Sequence, residues 1–169
     1  IHELHQAYAA AAKRAIAAGF EWLEMHFAHG YLGSSFFSPL ANQRTDAYGG
    51  TLDKRLRFHR EALDAVRAVW PEHLPLTMRL GTDDFHQDGV QFDDAVWAVG
   101  QLKEHGLDLA DLSIGMNTDD MREPPFSRAA FMAERGSRVR REVGIPVAVS
   151  WNLGQPAVAD RVIRDELVD

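Results

Sequence analysis

The stretch that decides the fold is residues 74–114, LPLTMRLGTDDFHQDGVQFDDAVWAVGQLKEHGLDLADLSI. It opens on a short apolar run over 74–80 and passes through a polar loop, 81–90. The next stretch, 92–105, has helical spacing and is closed by Gly106; a second apolar run covers 107–114. Two short apolar runs separated by one helix are the signature of parallel strands joined by a crossover.

The alternation continues outward in both directions. Upstream, Leu4, Tyr8, Ala11, Ala12, Ala15 and Ile16 have helical spacing over 2–18, with Gly19 as the stop. The bulky run 20–26 then reads as a strand. A long Gly, Ser and Asn-containing stretch, about 27–52, reads as a loop, and Thr51 starts a helix carrying Leu56, Leu63, Val66 and Val69 up to Trp70-Pro71. Downstream, a loop holding Pro124-Pro125 leads to a helix over about 128–142 closed by Gly144. A strand over 145–150, a turn over 151–154 and a last helix over 156–167 with Pro156 in its first turn follow.

The order is α-β-α-β-α-β-α-β-α with no linker, which predicts an α/β fold with a parallel sheet. No GxGxxG or GxxxxGK[ST] follows a strand, so the reading favours a (β/α)8 barrel over a doubly wound nucleotide-binding sheet. A complete barrel needs eight strands and typically about 250 residues. Four strands are present in 169 residues, so the chain reads as half a barrel, and its opening on Ile1 reads as a partial sequence.

Composition sets outer bounds. Apolar residues make up 46% and charged residues 25%, the proportions of a folded globular chain rather than a disordered one. No apolar run approaches the ~18–20 residues of a membrane span. A net charge of −7 with scattered Lys and Arg gives no footprint for nucleic acid or anionic lipid. With no cysteine, thiol nucleophiles, thiolate metal sites and disulfides are excluded from these residues. No secretion signal is visible at the start, and a cytoplasmic location is the expectation.

In barrels the chemistry sits at the C-terminal strand ends. The candidates there are His26, His29 and Tyr31 after the first strand and Arg79 at the end of the second. Asp111 and Ser113 close the third, and Ser150, Trp151 and Asn152 close the last. Strand alternation puts Trp22, Glu24 and His26 on one face and Leu23 and Met25 on the other; Thr77 and Arg79 share a face opposite Leu76, Met78 and Leu80. The apolar faces meet the helices, so His26 and Arg79 turn toward the barrel axis. A guanidinium there needs an anionic or electron-rich partner, with Glu24 or a bound cofactor as candidates. Two imidazoles and a phenol within six residues can polarise a carbonyl and deliver a proton. Spacing alone also fits structural histidines, or a metal pair lacking its third ligand. The cluster from Asp83 to Asp88 reads as a solvated loop. Arg135, Arg138, Arg140 and Arg141 read as an exposed helix face, and Trp22, Trp70 and Trp97 as packing; Trp151 reads as able to face a ligand.

Residues 18–58, AGFEWLEMHFAHGYLGSSFFSPLANQRTDAYGGTLDKRLRF, resemble the Old Yellow Enzyme family of FMN-dependent ene-reductases. The resemblance rests on His26, His29, Gly30, Tyr31 and Leu32, then Phe37, Ser38, Pro39, Asn42, Arg44, Thr45, Asp46, Tyr48, Gly49 and Gly50 in order. LTMRLGTDDF, GLDLADLSIG and IPVAVSW fit the later strands, and the wording is closest to the xenobiotic reductase, or thermophilic-like, branch. Thr51 stands where Ser is usual, Leu52-Asp53-Lys54 where an acidic-Asn pair is common, and Asn152 where glycine is frequent.

The resemblance implies that residues 1–169 are the central portion of one TIM-barrel domain. They would run roughly from helix 3 to helix 7 with strands 4 to 7, lacking the N-terminal strands and the final strand. It implies FMN as cofactor and NAD(P)H as reductant, with hydride transfer from flavin N5 to an activated alkene such as an enone or nitro compound. His26 and His29 would hold the substrate oxygen, or that of a phenolic ligand, and Tyr31 would protonate the substrate. Arg79 would lie beside the flavin N1/O2 edge and Trp151 would shape the site; Asn152 and Gly154 would belong to the turn that holds the phosphate. The stretch 42–50 is expected to shape its loop. The full-length parent is expected to be a homo-oligomer, and the isolated segment inactive. A metal-dependent barrel hydrolase using His26 and His29, or a non-catalytic barrel fragment, are the alternatives.

Overall fold

The computed structural model describes residues 1–122 and 126–169; Pro124-Pro125 of the expected loop lie outside the described residues. The elements are α1 (His2–Ala17), β1 (Leu23–Phe27), α2 (Leu32–Phe37), α3 (Leu52–Arg67), β2 (Leu76–Gly81), α4 (Phe92–Glu104), β3 (Leu109–Ser113), α5 (Ala133–Val143), β4 (Val147–Val149) and α6 (Pro156–Arg164). The four strands form one sheet in the order β1-β2-β3-β4, and every pairing is parallel. The α/β alternation read from the sequence therefore stands. Among the described residues no helix is long and apolar enough to cross a membrane.

Local signals account for most boundaries. Four consecutive alanines, Ala9 to Ala12, favour α1, whose buried side is His5, Ala9 and Ala12. The Thr51 hydroxyl accepts from the Lys54 amide and caps α3. The buried stripe of α3, with Arg55, Leu56, Phe58, His59, Ala62, Leu63 and Val66, follows the helical period. At the start of α4 the Gln91 amide donates to Asp94 Oδ2 at 3.2 Å. Gly144, at φ 67°, supplies the left-handed residue that ends α5.

Register fixes which side chains meet. His26 pairs with Arg79 across β1 and β2, Arg79 with Asp111 across β2 and β3, and Asp111 with Ala148 across β3 and β4. Met25, Phe27, Leu76, Met78, Leu80, Ala110, Leu112 and Val147 are buried, most of them opposite that row, and pack with the helices into one core. The row itself lies on the face turned away from the helices, the inner side.

Several expectations need correction. Residues 27–52 are not loop throughout. They contain α2, whose Gly and Ser content hides it and whose aromatic contacts hold it: Phe36 stacks on Phe58 at 4.0 Å between ring centroids. The helix expected from about 128 starts at Ala133, after a turn over 126–132. Trp22 is 54% exposed and so is not packing; it lies on the inner side of the sheet, with its indole N–H on Thr77 Oγ1 at 3.1 Å. Trp70 is buried, as expected, while Trp97 is only partly covered.

Asp83 and Asp84 are buried rather than solvated. Burial of a carboxylate requires partners, and both have them. Asp83 pairs with Arg135 at 2.7 Å. Asp84 accepts from Ser38 Oγ, from the Val90 amide at 2.9 Å and from Asn117 Nδ2 at 2.7 Å. The α5 arginines are likewise committed: Arg138 pairs with Asp93 and Glu142, and Arg140 with Asp169.

Candidate active site at the C-terminal rim of the sheet

All four strands run the same way, so the four loops that follow them gather at one rim. Backbone strain gathers there too. Non-glycine residues in the left-handed region occur after each strand: His29 after β1, Phe85 after β2, Met116 after β3, and Trp151 with Asn152 after β4. Such conformations persist where surrounding contacts over-determine them, and they concentrate at functional sites.

The loop after β1 is held by the loop after β3. The His29 amide donates to Ile114 O at 3.3 Å and the Gly30 amide to Gly115 O at 2.6 Å. Ser34 Oγ donates to the same Gly115 carbonyl at 3.1 Å. Gly30 has φ +72°, and a Cβ there would meet Met116 O at 2.6 Å, so the position requires glycine. This clamp presents His29 and Tyr31 from a fixed backbone.

The structure brings three of the predicted residues together. The His26 and His29 rings lie 5.1 Å apart between centroids, and the His26 and Tyr31 rings 5.6 Å apart. Tyr31, at the N-terminus of α2, is 64% exposed. The pKa values of both histidines are lowered. For His26 burial is the main cause, then the Arg79 charge; for His29 it is burial, then Arg79 and His26. Both shifts favour the uncharged imidazole, which has one N–H to donate.

Arg79 reaches into the same inner layer, but its protein partner is not Glu24. Its Nε lies 3.3 Å from Asp111 Oδ2, the neighbour in register on β3, and its Nη2 donates to Ser150 Oγ at 2.9 Å. Burial pushes the Asp111 carboxyl up to about 6, against the pull of Arg79 and with the push of Glu24. Glu24 is used one layer lower, where Thr77 Oγ1 donates to it at 3.3 Å. The Arg79 Nε is buried without a hydrogen bond. The Arg79 Nη1 makes no hydrogen bond among the described residues and is not buried, and a guanidinium with that donor left over suits the electron-rich edge of a planar cofactor.

Trp151 closes the other side, 6.2 Å from the His29 ring and stacked on Phe126 at 5.1 Å between centroids. The Asn152 side chain is not free for a phosphate, because Nδ2 donates to Phe126 O and Ser127 O, both at 3.2 Å. Only its left-handed backbone and the open space at Gly154 remain for such a role. The stretch 42–50 shapes its loop: Asn42 Nδ2 donates to Phe36 O at 2.6 Å and to Tyr48 O at 2.7 Å.

Two contributions were not assigned from sequence. Asp111 and Ser113 were visible as strand-end polar residues, but the register that pairs Asp111 with Arg79 was not. Ser113 turns out to touch both His29 and Trp151. Among the described residues no group of three or more His, Asp or Glu side chains converges as a metal site.

Known proteins share this arrangement of chain. An NADPH dehydrogenase of Geobacillus thermodenitrificans (strain NG80-2) is 37% identical over 175 residues, covering 100% of this chain and 48% of its own length. Morphinone reductase, solved in complex with tetrahydroNAD, superposes with a TM-score of 0.75 at 25% identity, covering 99% of this chain and 43% of that one. The old yellow enzyme homologue from Zymomonas mobilis superposes with a TM-score of 0.77 at 21% identity over 99% of this chain and 46% of its own, which speaks for the fold alone. The chain thus spans about half the length of the curated relatives it matches, and its four-stranded sheet is part of a TIM barrel. Residues 1–163 match the NADH:flavin oxidoreductase / NADH oxidase family, and the chain belongs to it.

Proposed function

We propose that this chain carries the substrate-binding side of an FMN-dependent ene-reductase that oxidises NAD(P)H and reduces activated alkenes such as enones and nitro compounds. Residues 1–169 are then the central portion of a single (β/α)8 domain. The observation that carries the reading is the pair of imidazoles, 5.1 Å apart between ring centroids, with the Tyr31 ring 5.6 Å from His26, on the same rim as Arg79.

FMN and NAD(P)H are the cofactors of the family, and bound FMN supplies the hydride. The chain's own residues do the rest. His26 and His29 donate N–H groups to the carbonyl, nitro or phenolic oxygen, where negative charge develops during reduction. In the uncharged form they offer the substrate oxygen two oriented donors rather than a fixed positive charge. Tyr31, exposed at the mouth, gives its phenolic proton to the substrate carbon. Arg79, whose Nε is ion-paired with Asp111 and whose Nη2 donates to Ser150, would turn the rest of its guanidinium to the cofactor and stabilise negative charge on the ring edge. Trp151 and the Asn152–Gly154 backbone shape the far wall and the turn toward the phosphate. Redox chemistry belongs to the cofactor; position and electrostatics belong to the protein.

The test is a phenol titration of the flavin-loaded protein. Binding should raise a long-wavelength charge-transfer band, and replacing His26 and His29 together by alanine should abolish it. A band that survives the double replacement unaltered overturns the assignment.

A further inference from the structure

The hydroxyl of Ser113 stands between two rings. Its Oγ is 3.0 Å from Trp151 Nε1 and 2.6 Å from His29 Nε2, and the residue is fully buried. An indole N–H can only donate, so the serine oxygen must accept from Trp151. The serine hydrogen then needs an acceptor. Water is excluded by burial, and among the described residues the one acceptor within reach is His29 Nε2.

We infer that Ser113 is a positioning residue that fixes the tautomer of His29, holding Nε2 as the unprotonated acceptor and placing the ring proton on Nδ1. The relay runs from Trp151 N–H to Ser113 Oγ, and from Ser113 O–H to His29 Nε2. His29 Nδ1 has no hydrogen-bond partner among the described residues and is not one of the buried unsatisfied atoms, so it is accessible. The proton therefore sits on the nitrogen that a substrate oxygen can reach. The other arrangement has His29 Nε2–H and Trp151 Nε1–H both donating to Ser113. It would leave the serine hydrogen without an acceptor in a buried site and present a lone pair, not a donor, to the substrate. The main-chain clamp supports the same geometry, since the His29 amide is tied to Ile114 O one residue beyond Ser113.

This inference deepens the proposed role of His29 and rests on that reading for its meaning in catalysis. Its test needs neither flavin nor alkene. In the 15N-labelled chain above pH 7, long-range 1H–15N correlation of the His29 ring is expected to show an unprotonated Nε2 and a protonated Nδ1. Ser113→Ala should shift His29 toward the Nε2–H form that predominates for histidine in water, and Ser113→Thr should restore the Nδ1–H form. An Nε2–H ring in the unsubstituted chain overturns the inference, and this measurement decides the matter even if Ser113→Ala does not fold. A tautomer ratio unchanged in a well-folded Ser113→Ala, judged by its amide spectrum, overturns it as well. A His29 in the Nδ1–H form in a protein that binds no phenol would support the relay while counting against the proposed function.

Discussion

Arg79 Nε and Asp111 Oδ2 lie 3.3 Å apart on neighbouring strands, in an ion pair whose carboxylate is held back by its own burial. The pair spans the middle of the inner layer, beside His26, so the charge state of Asp111 sets how much of the Arg79 positive charge is left for a cofactor. Because burial raises the Asp111 pKa to about 6 from 3.8, the folded state binds this proton more tightly than the unfolded state does. Its contribution to stability is complete below about pH 4 and is lost as pH rises through about 6, a change worth about 3 kcal/mol at most. The Asp111→Asn variant should lack that component. The measurement is urea unfolding of both proteins between pH 4 and 7: the variant's stability relative to the parent should climb with pH. Parallel curves would show that Asp111 does not titrate in this window.

Asp84 ties three loops to one another. Ser38 opens the connection from α2 to α3, Val90 belongs to the loop after β2 and Asn117 to the loop after β3, and all three donate to its carboxylate. Replacing it by alanine strands two buried donors, the Ser38 hydroxyl and the Val90 amide, each costing about 1–3 kcal/mol when left unpaired, while the part-buried Asn117 Nδ2 keeps its bond to Ser34 Oγ. The Asp84→Ala chain should lose roughly 3–5 kcal/mol of unfolding free energy. Amide exchange should also speed up over residues 29–38 more than in α3 or α4. Uniform loosening of the whole chain, with no excess at this rim, would contradict the tether.

The order of elements was legible because apolar periodicity and glycine stops are local. Thr51, Gly106 and Gly144 mark their boundaries without help from the rest of the fold. The inner face was legible for the same reason, since alternation alone turns His26 and Arg79 the same way. What sequence could not show depends on register and on loops meeting in space. Glu24 and Asp111 are both acidic strand residues, and only the β2–β3 pairing makes Asp111 the neighbour of Arg79. Asp83 and Asp84 sit in a polar run that reads as solvated, yet partners 33 to 52 residues away bury them. The helix α2 has weak propensity and is held by Phe36 against Phe58 and by Gly33 packed on Phe27. The long match to the family motif singled out His26, His29 and Tyr31 as the proposed site; spacing alone left it open.

His59 on α3 is completely buried, between Phe27 and Phe37, with neither ring nitrogen hydrogen-bonded. Burial lowers its pKa to about 3 from 6.5. A folded-state value depressed below the unfolded one means that stability is full above about pH 6.5 and falls as pH drops toward 3. The loss amounts to roughly 4–5 kcal/mol over that range. His59→Leu removes both the unpaired nitrogens and the titration. It should raise stability by about 1 kcal/mol at pH 7 and by more at pH 5. Thermal melts of the two proteins at both pH values check this; a gain that does not grow on acidification would mean His59 finds a partner in solution.

Tyr31 separates the two halves of the proposed reaction. Its ring stands beside His26 at the open mouth of the site, where it can reach a substrate carbon but takes no part in holding the sheet together. Tyr31→Phe keeps the ring and deletes the proton. In flavin-loaded protein, reduction of bound FMN by NAD(P)H should then proceed close to its original rate. Reoxidation by an enone should slow by about 10²–10⁴, the usual contribution of one positioned general acid. Stopped-flow measurement of the two half-reactions distinguishes them. A nitroalkene carrying a stronger electron-withdrawing group should be less affected, because charge held by His26 and His29 can wait for a proton from water. An unchanged enone half-reaction would remove Tyr31 from the mechanism and leave the proton to another donor.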